Sequence, residues 1–166
     1  MAEITLKGNS IYTYGDLPEV SSQAKDFTLV RSDLSDIKLS DFSGKNIILN
    51  IFPSLDTSTC AMSVRRFNQE AASLKNTVVL CISADLPFAA GRFCTTEGIK
   101  DVFTGSVFRN PDFGKDYGVL LTSGPLTGLL SRAVIVIDPE GKVSYTQQVG
   151  EISEEPDYTP VLKMLR

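Results

Sequence analysis

Three cysteines are the residues of this chain best suited to chemistry, and no histidine is present to assist them. They are Cys60, Cys81 and Cys94. Without histidine, the usual general base, the commonest metal ligand and the usual partner of a nucleophilic serine or cysteine are all missing. A Cys–His protease or transferase dyad is therefore excluded within one chain. What remains is thiolate chemistry that needs no histidine.

The three cysteines occupy different local patterns. Cys60 follows an apolar strand and opens a helical pattern, where unpaired N–H groups and the positive end of the helix dipole stabilise a thiolate. Cys81 lies inside the apolar run 78–82, which predicts an inert core residue. Cys94 lies in a more polar helical segment, and both a half-buried structural role and a redox role are open to it. A buried, inert role also stays open for Cys60.

The cysteine spacing argues against several other uses of thiols. Three cysteines with no histidine and no C-x-x-C pair do not suit a zinc site, and we expect neither a metal nor a cofactor. The missing C-x-x-C also argues against a thioredoxin-type oxidoreductase, and the odd number of cysteines against a disulfide scaffold. Cleavage of a weak peroxide O–O bond, which leaves a sulfenic acid on the protein, fits the residues that remain.

Such a reaction also requires a cation near the sulfur. A cysteine of ordinary pKa is already a few per cent ionised at pH 7, so complete ionisation raises its rate only about thirtyfold. Positive groups or N–H donors must therefore polarise the peroxide as well. Arg132 is notable because it opens the apolar strand Ala133–Ile137, where an exposed arginine would gain nothing. The other candidate cations are Arg65, Arg66, Arg92 and Arg109.

The order of predicted strands and helices is that of an α/β domain, a central sheet with helices on its faces. Residues 46–52 read as an apolar strand buried on both faces, which stops at Pro53. The next helix carries Cys60 and is capped by Thr57, Ser58 or Thr59. Further strands are predicted at 4–7 and 11–14 (a hairpin), 27–30, 37–39, Thr77–Ser83, 102–108, Ala133–Ile137 and 143–149. Further helices are predicted at 88–97, ended by Gly98, at 110–116 and from about residue 157.

Composition limits the class of protein. The chain of 166 residues suits a single domain, and its apolar fraction of 42% is that of a globular protein. A net charge of −4 and the lack of a basic run argue against a nucleic-acid partner. The apolar runs are too short to span a membrane. The N-terminal residues do not read as a signal peptide, so we expect a cytoplasmic rather than a periplasmic protein.

Residues 53–60 read PSLDTSTC, which resembles the P-x-x-x-T-x-x-C signature of the peroxiredoxins. The continuation 61–68 (AMSVRRFN) and the separation of 34 positions between Cys60 and Cys94 narrow the resemblance to the bacterial thiol peroxidase subfamily, which are atypical 2-Cys peroxiredoxins. The similarity extends over nearly the whole chain. It includes the segments 49–53, 78–88, 92–94, 108–110 and 155–158.

The resemblance implies a role for each of five residues. Cys60 resembles the peroxidatic cysteine, and Cys94 the resolving cysteine that forms an intrachain disulfide with it. Thr57 resembles the residue whose hydroxyl bonds both thiolate and peroxide, and Pro53 the residue that shields the thiolate from solvent. Arg132 resembles the arginine that stabilises the thiolate and polarises the substrate.

The resemblance also implies the fold, the activity and the partners. The fold is thioredoxin-like, one domain over residues 1–166 with a central mixed sheet flanked by helices and an added N-terminal β-hairpin. The activity is the reduction of hydrogen peroxide and organic (alkyl or lipid) hydroperoxides to water or alcohols. Thioredoxin is the implied reductant, and the protein is expected to be a homodimer. We also expect local unwinding of a helix when the disulfide forms.

Three other functions remain to be distinguished from a peroxidase. A peroxide sensor would use the same oxidation of Cys60 but pass it to a partner protein. A thiol–disulfide oxidoreductase would reduce disulfides without peroxide, and a thioredoxin-like interaction module would have no activity. Leu126, Leu129 and Leu130, in the loop 122–130, are expected to line an apolar channel for bulky hydroperoxides.

Overall fold

A seven-stranded mixed sheet forms the centre of the structure, a computed structural model that describes all 166 residues. Its spatial order is β4-β3-β7-β6-β5-β8-β9, and β1 and β2 form a separate hairpin. The strands are β1 (Glu3–Leu6), β2 (Asn9–Tyr12), β3 (Thr28–Val30), β4 (Asp36–Lys38), β5 (Asn46–Ile51), β6 (Thr77–Ser83), β7 (Phe103–Ser106), β8 (Ala133–Ile137) and β9 (Val143–Gln148). The helices are α1 (Ser58–Glu70), α2 (Pro87–Glu97), α3 (Phe113–Asp116) and α4 (Thr159–Leu165).

The central strand β5 is buried on both faces, as its continuous apolar sequence predicts. Ile47, Leu49 and Ile51 pack into one apolar cluster, whereas Ile48 and Phe52 pack into another on the opposite face. The second cluster also contains the apolar side chains of α1 and α4. The core therefore has two layers, one on each side of the sheet, and α1 lies against the second.

The sheet register brings two distant parts of the chain together. β5 pairs parallel with β6 and antiparallel with β8, and Ile51 at the end of β5 is opposite Ala133 at the start of β8. Consequently, the residues just after β5 and the residue just before β8, Arg132, lie at the same edge of the sheet. The loop before α1 begins at this edge, so the register alone places Arg132 near Cys60.

The hairpin is confirmed, but its second strand begins earlier than predicted. β2 covers Asn9–Tyr12 instead of residues 11–14, because the turn consists of Lys7 and Gly8 only. Both turn residues have positive φ, 50° and 82°, as a two-residue type I′ turn requires. The sequence pattern predicts a turn at residues 8–10, so its predicted start is one residue too late.

The remaining differences concern element ends. Residue 39 leaves β4 and starts a 3₁₀ turn (Leu39–Phe42), and α1 ends at Glu70, where a further 3₁₀ turn (Ala71–Ser73) follows. The predicted helix at 110–116 is reduced to α3, the strand at 102–108 to β7, and the last helix starts at Thr159. The stop of α2 at Gly98, in the left-handed region with φ 66°, is confirmed. No helix combines the length and the apolar composition needed to cross a bilayer.

Candidate active site

Cys60 lies in the first turn of α1 and is completely buried. Of the three candidate caps, Thr57 is the N-cap: its backbone is extended, and its Oγ1 accepts the Cys60 N–H at 3.2 Å. The Thr57 hydroxyl also donates to the Ser54 carbonyl at 3.2 Å. The cap satisfies one of the unpaired N–H groups of the helix and fixes the turn that carries the sulfur.

Arg132 is the cation that reaches Cys60. Its side chain is almost fully buried, and Nη2 donates to the Cys60 Sγ at 3.3 Å. Nε donates to the Ile152 carbonyl at 2.9 Å, while Nη1 has no partner. Because no carboxylate forms an ion pair with this guanidinium, a thiolate at Cys60 is the anion placed to balance it. The unpaired Nη1 leaves donor capacity for a further acceptor.

The other candidate arginines lie elsewhere. Arg65 forms a bidentate pair with Glu97, and Arg66 pairs with Glu70. Arg109 pairs with Asp36, and Arg92 is exposed and makes no ion pair. Among the five candidate arginines, the one next to an apolar strand, Arg132, is therefore the one that bonds Cys60, and that position was the informative sequence signal.

A carboxylate that the sequence interpretation missed holds the loop between β5 and α1. Asp85 accepts the Ser54 hydroxyl and the Leu55 N–H, each at 2.7 Å, and the Ser83 hydroxyl at 2.7 Å. Pro53, at the start of this loop, is buried. Asp85 comes two residues after β6, the neighbour of β5, and an acidic residue just past a buried strand was the available signal. Its bonds connect the loop that precedes Cys60 to the segment that precedes α2.

Cys81 and Cys94 have surroundings that suppress ionisation. Burial raises the pKa of the Cys81 thiol to about 12, and the Asn50 amide near its sulfur opposes this only in part. Burial also raises the pKa of Cys94, which is half-buried on α2. All three cysteines are free thiols in this structure. The structure thus brings Thr57, Cys60 and Arg132 together, and leaves Cys94 unbonded on a second helix.

A buried cysteine at a helix N-terminus, bonded by a buried arginine, is typical of enzymes that react through a thiolate. Comparisons with known proteins define the class further. The signature of the Redoxin family matches residues 19–162. A thiol peroxidase from Corynebacterium glutamicum is 54% identical over 165 residues, which cover 99% of each chain.

Solved structures give the same result for the fold. A peroxiredoxin-like protein from Aquifex aeolicus superposes with a TM-score of 0.93 at 38% identity, over 99% of this chain and 95% of that one. A thiol peroxidase from Chromobacterium violaceum superposes with a TM-score of 0.90 over 98% of this chain and 94% of that one; at 24% identity it supports the fold alone.

The chain therefore belongs to the redoxin family and, within it, to the bacterial thiol peroxidases. It is a peroxiredoxin-type oxidoreductase, as the resemblance predicted. The predicted fold class is confirmed as well: a thioredoxin-like α/β fold with a mixed central sheet, flanking helices and an N-terminal hairpin.

Proposed function

We propose that this single-domain protein reduces hydroperoxides with the Cys60 thiolate and then closes an intrachain disulfide between Cys60 and Cys94. The observation that carries the proposal is the 3.3 Å contact between Arg132 Nη2 and the buried Cys60 Sγ. It pairs a nucleophile with a fixed positive charge away from water, where electrostatic stabilisation is strongest.

In the first step, the Cys60 thiolate attacks the terminal oxygen of ROOH. The S–O bond forms as the O–O bond breaks, and the leaving RO⁻ takes up a proton to become an alcohol, or water when the substrate is hydrogen peroxide. Cys60 is left as a sulfenic acid. The unpaired Nη1 of Arg132 is the free donor for the peroxide oxygens, and the Thr57 hydroxyl can donate to them only when its proton leaves the Ser54 carbonyl. Pro53 acts by keeping water from the thiolate.

In the second step, the Cys94 thiol condenses with the sulfenic acid, forming the disulfide and releasing water. Cys60 and Cys94 lie inside different helices, and the far end of α2 is bound to α1. Arg65 bonds Glu97, and the Asn68 side-chain oxygen accepts the N–H groups of Lys100 and Asp101. Disulfide geometry allows only about 7 Å between the two Cα atoms, so we expect part of α1 or α2 to unwind for this step.

The third step is reduction of the disulfide by a dithiol, for which thioredoxin is our candidate. Regeneration of this kind needs a reducing compartment, which supports a cytoplasmic location.

We propose a homodimer as the working form. Leu86, Phe88 and Phe108 are large apolar side chains exposed by 53%, 68% and 45%, and they follow the ends of the neighbouring strands β6 and β7. Equilibrium sedimentation of wild type and Phe88→Asp tests this, and a monomeric wild type would contradict it.

Organic hydroperoxides are proposed substrates beside hydrogen peroxide. Leu126 and Leu129 pack against the apolar cluster of the hairpin, whereas Leu130 is buried in the core. Leu126 lines a cavity of about 490 Å³ between the hairpin and the loop 122–130. Second-order rate constants for hydrogen peroxide and cumene hydroperoxide, measured on wild type and Leu126→Asn, test the apolar channel. A channel predicts a loss confined to cumene hydroperoxide, and equal rate constants for both peroxides in wild type would contradict it.

Steady-state turnover separates the peroxidase from its rivals. With thioredoxin, thioredoxin reductase, NADPH and hydrogen peroxide, a peroxidase consumes many equivalents of peroxide, and Cys60→Ser consumes none. A sensor stops after one equivalent per subunit. A disulfide oxidoreductase reduces insulin without peroxide, and an interaction module does neither, so each of these three results would contradict the proposal.

A further inference from the structure

The orientation of Arg132 depends on one backbone carbonyl. Apart from the Cys60 sulfur, the only acceptor bonded to this side chain is the Ile152 carbonyl, at 2.9 Å from Nε. A buried guanidinium is normally held by several acceptors or by a carboxylate, and neither is found here. Whatever holds the Ile152 carbonyl therefore also sets the direction of the N–H groups of Arg132.

Glu151 holds the backbone around that carbonyl and connects it to the N-terminal hairpin. Its Oε2 accepts the Ser153 N–H at 3.0 Å and the Ser153 hydroxyl at 2.6 Å. Its Oε1 accepts the Gly8 N–H at 2.9 Å and the Thr5 hydroxyl at 3.0 Å. One carboxylate thus bridges the turn next to Ile152 and the hairpin. The Ser153 hydroxyl, the Ser153 N–H and the Gly8 N–H lower the pKa of Glu151 to about 2, so it is an ionised acceptor at neutral pH.

Backbone bonds and packing strengthen the same connection. The Thr5 N–H donates to the Gly150 carbonyl at 2.7 Å, and the Ile152 N–H donates to the Thr5 carbonyl at 2.9 Å. The Ile152 side chain is buried in a small cluster with Ile4 and Ile11 of the hairpin. The hairpin therefore flanks the segment 150–153 as an added strand would.

The segment 150–153 also reaches α1. The Thr59 hydroxyl, next to Cys60 in sequence, donates to the Ser153 carbonyl at 2.9 Å. Ile152 and Ser153 thus face the active site with their carbonyls while Glu151 faces the hairpin with its carboxylate. No carboxylate touches Arg132 itself, which keeps its charge available to the sulfur.

We propose that Glu151 and the β1–β2 hairpin form a positioning element that aims Arg132 at Cys60 by fixing the Ile152 carbonyl. Glu151 is a positioning residue and touches no reacting atom. The inference rests on the proposed roles of Cys60 and Arg132. A displacement of about 1 Å in a catalytic group costs on the order of a hundredfold in rate, so a looser carbonyl is expected to slow the peroxide step.

Two rates measured on the same protein distinguish positioning from general loosening. Rapid-quench mass spectrometry gives the rate of Cys60 oxidation by hydrogen peroxide, and the same method gives its alkylation by iodoacetamide. Because Cys60 is completely buried, a loosened fold exposes it and speeds alkylation. Misdirection of Arg132 lowers the peroxide rate without speeding alkylation.

The test variants are Glu151→Ala and the milder Thr5→Val, which removes the hydroxyl that donates to Glu151 at 3.0 Å and to the Gly150 carbonyl at 3.3 Å. Asp138→Ala is the matched control. Asp138 also accepts two backbone N–H groups, those of Glu140 and Lys142, but in the turn at the opposite end of β8 from Arg132.

We expect Glu151→Ala to oxidise about tenfold more slowly than wild type. The oxidation rate of Thr5→Val should also fall, but by less. Neither variant should be alkylated faster than wild type. Asp138→Ala should match wild type in both the oxidation rate and the alkylation rate. Unchanged peroxide rates in Glu151→Ala and Thr5→Val would overturn the inference, as would faster alkylation or an equal loss in Asp138→Ala. If Cys60 of the wild type does not react with peroxide at all, the proposed function itself fails, which is a separate and recognisable result.

Discussion

At the scale of single residues, the three identical thiols have different surroundings. Cys60 is bonded by Arg132 at a helix N-terminus, whereas burial raises the pKa of both Cys81 and Cys94. Neutral thiols are weak nucleophiles, so neither Cys81 nor Cys94 is suited to attack peroxide. In the proposed second step Cys94 attacks a sulfenic acid, which is a strong electrophile, and the proposed local unwinding would expose the Cys94 sulfur.

Replacing Thr57 tests the hydroxyl that caps the helix beneath Cys60. Thr57→Val removes the acceptor of the Cys60 N–H and the donor to the Ser54 carbonyl, and keeps the shape of the side chain. We expect a loss of about 1 kcal/mol in unfolding free energy and a roughly 10- to 100-fold slower oxidation of Cys60. Thr57→Ser keeps the hydroxyl and should stay close to wild type in both chemical denaturation and rapid-quench measurements. Equal rates in the Val and Ser variants would show that the hydroxyl has no role.

Local sequence predicted part of this site and missed the rest for a physical reason. Cys60 and its candidate cap Thr57 lie in one strand–loop–helix segment, and the apolar strand after Arg132 indicated that residue, whereas Pro53 was assigned only through the family resemblance. Glu151 was missed because its partners Thr5 and Gly8 lie 146 and 143 positions away in sequence. The carbonyl of Ile152 carries no side-chain signal, so only the fold reveals its role.

At the scale of elements, a salt bridge links the middle of α1 to the C-terminal end of α2. Arg65 and Glu97 form two hydrogen bonds of 2.8 and 2.9 Å between these helices. Strand and helix types were predictable because apolar periodicity and glycine stops are local signals. The links between helices were not predictable from sequence, since contacts between elements depend on the packed structure.

Glu97→Gln tests whether this link opposes disulfide formation. The charged pair is partly exposed, so its loss weakens the contact between the two helices only modestly. If α1 or α2 must unwind, disulfide closure after oxidation should become faster by up to about fivefold, while oxidation of Cys60 stays unchanged. Glu70→Gln is the control, because Glu70 pairs with Arg66 and Arg166 and not with α2. A slower closure in Glu97→Gln would contradict the unwinding step.

At the scale of the whole molecule, segments that are far apart in sequence meet around Cys60 and Arg132. The sheet places β5 and β8 side by side, and this pairing explains why Cys60 and Arg132 lie close together. The hairpin at the N-terminus then contacts residues 150–152 near the C-terminus, through backbone bonds and Glu151. Stability of this long-range contact should therefore depend on the ionisation of Glu151.

The pH dependence of unfolding tests that contact. The pKa of Glu151 is lowered from 4.5 to about 2 in the folded state, so its bonds stabilise the fold fully above about pH 4.5 and less as the pH falls toward 2. We expect wild type to have a higher Tm than Glu151→Gln at pH 7, with the difference shrinking steadily below pH 4.5. Glu154→Gln should match wild type, because the Glu154 side chain is exposed and unbonded. A difference between wild type and Glu151→Gln that does not change with pH would contradict this assignment.

The most direct test of the central claim is the intact mass after one equivalent of hydroperoxide, measured on wild type, Cys60→Ser and Cys94→Ser. The account predicts that wild type loses two hydrogens, that Cys94→Ser gains one oxygen at Cys60, and that Cys60→Ser stays unmodified. If Cys60→Ser is oxidised as fast as wild type, Cys60 is not the nucleophile and the proposed mechanism is wrong.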